Sequence, residues 1–109
     1  MNWGKNMAEV LTICGSMRFE KQMREIAYLL EAQYGFTVLQ CTYGTSIPTA
    51  EEKIALNQSH FHKIDLSNGI YVVDCGGYIG DSVQKEIQYA KSTGKHVYYH
   101  STFTKEVHK

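Results

Sequence analysis

Two glycine-containing stretches carry most of the side chains in this sequence that could do chemistry: "CGSMRF" at residues 14–19 and "DCGGYIGDSVQKEI" at 74–87. In the first, Gly15 permits close backbone approach. Ser16 offers a hydroxyl and an N–H at the entrance to a helix with Met17 beside it, and Arg18 can fork onto a phosphate or carboxylate. The combination reads as an anion site, or as an ordinary turn and cap with a solvated arginine. In the second, Gly76, Gly77 and Gly80 free the backbone to pass near a ligand, and Tyr78 and Ile79 add an aromatic and an aliphatic surface. Asp81 or Ser82 can cap the helix that follows, so Glu86 falls in its first or second turn. A carboxylate there either meets a substrate or is a helix-start carboxylate favoured by the dipole.

Other constellations carry less. There is no GxxxxGK[ST] sequence for nucleoside triphosphates and no long dinucleotide fingerprint. His60 and His62 lie two apart, which points them to different sides of a helix, and His96 with His100 makes a poor pair on a strand. Cys14, Cys41 and Cys75 form no CxxC pair and read as reduced thiols at strand ends; Cys75 is a candidate nucleophile or packs at a crevice floor. No metal and no cofactor is expected.

Positioning these groups is the task of an alternating chain. Residues 9–14 read as a strand. Phe19, Met23, Ile26, Ala27, Leu30 and Tyr34 give a helix one apolar face, ended by Gly35. Residues 36–41 are a second strand candidate. Pro48 then opens a helix over 49–67 with Ile54, Phe61 and Ile64 on one side. The almost continuously apolar "IYVVDC" at 70–75 predicts a central strand covered on both faces. A helix over 82–92 turns Val83, Ile87 and Ala90 inward and Glu86 toward a crevice. Residues 96–100 form a last strand, followed by a polar tail that is a short helix or frayed. The expectation is an α/β fold: a single Rossmann-like, flavodoxin-like three-layer domain over residues 1–109. Its mostly parallel sheet has four or five strands in order about 2-1-3-4, with a crevice where the first and third strands end.

Whole-chain properties narrow the partners. The 109 residues suit one core, and eleven basic against eleven acidic residues leave no charged block for nucleic acid or an anionic membrane. Eight scattered tyrosines do not make a basic aromatic platform. No signal peptide or membrane-length apolar run is present, so a cytoplasmic location is expected.

The run "GGYIGDSVQKEIQYA" at 76–90 resembles the glycine-rich loop and helix of the nucleoside 2-deoxyribosyltransferase superfamily. "ICGSMR" at 13–18 is similar to the first loop of its branch that hydrolyses 2'-deoxynucleoside 5'-monophosphates. The resemblance implies that Glu86 attacks C1' of the deoxyribose to form a covalent glycosyl-enzyme, and that Ser16 and Arg18 hold a 5'-phosphate. An oxocarbenium-like transition state fits a carboxylate under C1', and a second acid must protonate the departing base. Asp81 is the first candidate for that acid, with Asp74 and His60 behind it. Gly15, Met17, Gly77, Tyr78, Gly80 and Ser82 complete the expected substrate contacts.

The chain departs from the family pattern at two places. Thr12 stands where the hydrolases have a tyrosine, leaving Tyr78 or Tyr43 to replace it, and Gly80 stands where the family has a carboxylate. The chain is also shorter than usual members, which leaves the pocket open or completed by a neighbouring subunit of a homo-oligomer. The implied activity is cleavage or transfer at an N-glycosidic bond of a small-molecule nucleoside or nucleotide. Two other readings stay open: a module that binds a nucleotide without chemistry, and an interaction domain that binds nothing small.

Overall fold

The computed structural model describes residues 9–44 and 46–107, with side chains described as far as Phe103. Strand β1 (Val10–Cys14) leads through a single 3-10 turn (Met17–Phe19) into α1 (Glu20–Ala32). Then come β2 (Thr37–Leu39), α2 (Ala50–Asp65), β3 (Gly69–Val72), a second 3-10 turn (Cys75–Gly77), α3 (Asp81–Ser92), β4 (His96–Tyr99) and α4 (His100–Val107). The four strands form one parallel sheet in the order β2-β1-β3-β4. That is the order expected when right-handed crossovers place helices on both faces. Cys14 pairs with Val72 in register, so β1 and β3 end level and their loops leave the sheet side by side.

Strand alternation sorts the core into two halves. Leu11, Ile13, Tyr71 and Val73 face one side, where they meet Met23, Ile26, Ala27 and Leu30 of α1. Phe103 of α4 closes that layer by edge contacts with Tyr34, Tyr71 and Tyr98. On the other side Cys14, Ile70 and Val72 pack with Ile64 of α2 and with Val83, Ile87 and Ala90 of α3. Each large side chain removed from water in this way stabilises the fold by about 1.5–3 kcal/mol. Thr12 shares the α2/α3 side with Cys14 and is fully buried.

Several local expectations need correction. Ile54 is exposed rather than inward, and among the residues of α2 only Ile64 is buried. This helix leans on the sheet through its C-terminal half alone. Pro48 precedes the helix instead of opening it. Thr49 is the cap, its hydroxyl accepting from Glu52 N–H while the Glu52 carboxylate accepts from Thr49 N–H, a reciprocal capping box. The cap of α3 is Gly80, so Asp81 and Ser82 are its first two residues and neither is the cap. Strands β2 and β3 are shorter than expected, ending at Leu39 and Val72, and Asp74 has left extended geometry with φ −107° and ψ 52°. Among the described residues no helix is long and apolar enough to cross a membrane.

Candidate active site

A cleft of about 940 Å3 opens at the C-terminal edge of β1 and β3, a size suited to a small organic ligand. Gly15, Ser16 and Met17 line one side, and Tyr78, Gly80, Asp81 and Ser82 line the facing side. Glu86 of α3 and His60 of α2 reach in between them, and the segment after β2 supplies Thr42 and Gly44.

Gly15 has a steric reason to be glycine: a Cβ there would lie 2.8 Å from Met23 Sδ and 3.3 Å from Val73 Cβ. The loop therefore lies tight on α1. Ser16 caps the following turn, its Oγ accepting from Arg18 N–H at 3.3 Å. Across the cleft, Gly76 and Gly77 adopt positive φ angles of 62° and 81°, a region that strongly favours glycine. This bend throws Tyr78 outward and lets α3 begin at the cleft edge.

Glu86 sits on the flank of the α3 stripe formed by Val83, Ile87 and Ala90, with 14% of its side chain exposed. His60 Nε2 stands 3.2 Å from Glu86 Oε1 and 3.4 Å from Cys14 Sγ. Burial and the Glu86 carboxylate hold the Cys14 thiol well above its ordinary range. Cys41 is pushed up to about 11, first by burial and then by Glu86, with Lys63 pulling the other way. Both thiols are therefore protonated near neutral pH. Cys14, His60 and Glu86 place one sulfur, one nitrogen and one oxygen donor within 4.8 Å of one another.

No protein-family model, curated protein or solved structure matches the chain.

Four expected site residues stand outside the cleft lining. Arg18 lays its guanidinium 3.9 Å from the centre of the Tyr78 ring and donates to the Tyr78 hydroxyl at 3.3 Å, so it clasps the two loops together at the rim. Gly77 shapes the turn, its N–H donating to Asp74 O at 2.8 Å. Tyr43 packs toward α1 under the Arg24 guanidinium, 4.3 Å from the ring centre. Its hydroxyl is buried without a hydrogen-bond partner among the described residues, and burial pushes it up to about 12. Asp74, a candidate acid from sequence, is buried and accepts from Ser101 N–H at 2.9 Å and Ser101 Oγ–H at 2.7 Å. It fastens α4 to the end of β3 and belongs to the structure of that junction.

Sequence reasoning missed two groups. From sequence Cys14 is only a strand-end thiol, yet strand parity turns it to the α2/α3 side beside His60. Lys63 lines the cleft and donates from Nζ to Gln40 O at 2.6 Å and Thr42 Oγ at 3.2 Å, tying the segment after β2 to α2. A signal existed for the direction of His60, which lies four residues before the buried Ile64 and so shares its helix face. None existed for Lys63, whose partners are remote in sequence.

Proposed function

We propose that the protein cleaves or transfers at the N-glycosidic bond of a 2'-deoxynucleoside or its 5'-monophosphate, with Glu86 as nucleophile. The observation that carries this reading is the largely buried Glu86 carboxylate lining the cleft between the two loops, its Oε1 3.2 Å from His60 Nε2. With Oε1 held beside His60 Nε2 at 3.2 Å, Oε2 is the oxygen proposed to form the bond with C1'. As the C1'–N bond breaks, the electron pair leaves with the base, which takes a proton from Asp81 at the start of α3. Water then attacks C1' and gives a proton to the Asp81 carboxylate, the C1'–Oε2 bond breaks, and deoxyribose or its phosphate leaves with both carboxyl groups restored; a second base in place of water gives transfer. Ser16 lines the cleft on the side where a 5'-phosphate would lie, and Tyr78 offers a flat surface for a base or sugar. Self-association belongs to the same proposal, because Ile47, Ile54 and Leu66 leave large apolar side chains in water.

A second reading has its own support. Thr12 hydroxyl, at the position of the family tyrosine, is engaged with Ser67 Oγ at 2.6 Å and offers Glu86 nothing. A cleft that binds a nucleotide without cleaving it would tolerate that change. The test incubates the protein with a panel of 2'-deoxynucleosides and their 5'-monophosphates, follows released base by liquid chromatography and weighs the intact protein. Base release or a deoxyribosyl adduct that disappears in Glu86→Ala supports the enzyme. A raised melting temperature with neither at any enzyme concentration supports the binding module.

A further inference from the structure

We infer that Cys14, His60 and Glu86 form a binding site for a thiophilic divalent cation of the zinc type. The three donors come from three elements, β1, α2 and α3, and converge at the base of the cleft. The Sγ to Nε2 separation is 3.4 Å and the Nε2 to Oε1 separation is 3.2 Å. Zinc bonds of about 2.3 Å to sulfur and about 2.0–2.2 Å to nitrogen and oxygen hold tetrahedral ligands roughly 3.3–3.7 Å apart, the sulfur pairs at the long end. The two separations fall short of tetrahedral spacing by only about 0.1–0.2 Å, and all three donors lie within 4.8 Å of one another.

The donor set also suits the ion chemically. A thiolate and a carboxylate match the two positive charges, and imidazole binds as a neutral ligand, so the loaded site carries no net charge in a partly desolvated cavity. Sulfur and nitrogen select zinc-like ions over magnesium or calcium, which prefer all-oxygen shells. Three protein ligands leave a fourth position, and the cleft is the side from which it is reached. Cys14 is fully buried while His60 and Glu86 keep only 13% and 14% of their side chains exposed. Binding exchanges one proton for one ion: the Cys14 S–H bond breaks, the S–metal bond forms, and the proton passes to solvent. On the glycosidic reading above, an ion on Glu86 removes the nucleophile, so the loaded form is the inactive one.

The test titrates chelator-treated full-length protein with Co(II) alone and records its absorption spectrum without nucleotide, so the result is independent of any activity. The expected result is one equivalent bound, a near-ultraviolet thiolate-to-cobalt band with intense visible bands of a four-coordinate ion, and displacement by Zn(II). The thiolate band should vanish in Cys14→Ser and persist in the double variant Cys41→Ser, Cys75→Ser. In His60→Ala the affinity should fall by about 10-fold or more, since even outer-shell changes at metal sites have effects of that size. Absence of a thiolate band in the wild-type protein overturns the site, whether or not any variant folds. So does a band that survives Cys14→Ser and is lost in the double variant.

Discussion

His60 Nε2 and Glu86 Oε1 lie 3.2 Å apart, joining α2 to α3 across the base of the cleft. The contact, on the proposed mechanism, holds Oε1 and leaves Oε2 as the attacking oxygen. On the proposed mechanism, His60→Ala leaves Glu86 in place but free to rotate, and a misplaced nucleophile loses about 100-fold in rate. Base release should fall by that order while the same nucleotides still raise the melting temperature. Equal loss of both would make His60 a binding residue instead.

Asp74 accepts two hydrogen bonds from Ser101 at the start of α4. Asp74→Ala leaves the Ser101 N–H and hydroxyl without their acceptor and should lower stability by about 1–3 kcal/mol in urea unfolding. Amide exchange should quicken through 101–107 before it changes in β1 or β3.

The buried hydroxyl pair of Thr12 and Ser67 has a defined direction. Ser67 Oγ donates to Lys63 O at 2.7 Å, so its lone pairs are left for the Thr12 hydroxyl to donate into. Thr12→Val keeps the shape and the Ser67–Lys63 bond, and should cost only about 1 kcal/mol. Ser67→Ala removes the acceptor from Thr12 in a buried site and should cost more. The two midpoints in a denaturant titration check the order.

His100 carries the pH dependence that the structure makes most direct. Burial lowers its pKa below the ordinary 6.5, against an opposing effect of Asp74, and its Nδ1 lies 2.7 Å from the Tyr71 hydroxyl. The unfolded chain therefore binds more protons than the folded one once pH drops below about 6.5. This contribution to stability is complete above that pH and is lost as pH falls through the lowered folded value. Denaturation midpoints at pH 7.5 and about 5.5 should differ more for wild type than for His100→Gln. Equal differences would remove His100 from the account.

The order of elements and the sheet topology were legible from local pattern. Apolar spacing marked α1 and the inward face of α3, a continuous apolar run marked β3, and crossover handedness then left few arrangements. The crevice followed, because parallel strands deliver the loops after β1 and β3 to the same edge. Ile54 and Pro48 show where local pattern fails: an apolar residue on a helix is buried only if the helix lies against something along its whole length, and α2 does not. Gly80 as the cap of α3 was hidden because Asp81 and Ser82 are both better capping residues by type.

Tertiary structure alone decided the site's chemistry. The sequence by itself determined that Glu86 stands near the start of a helix at the crevice, and that a glycine bend precedes it. It did not determine that Cys14 and His60 are its neighbours, since those contacts link three separate elements and depend on strand parity, helix rotation and crossover packing together. Nor could it send Asp74 to α4 while Asp81 lines the cleft, because the chain leaves its strand geometry at Asp74 and alternation no longer predicts direction. Local propensities are set by near neighbours, whereas a functional constellation is set by where distant elements meet.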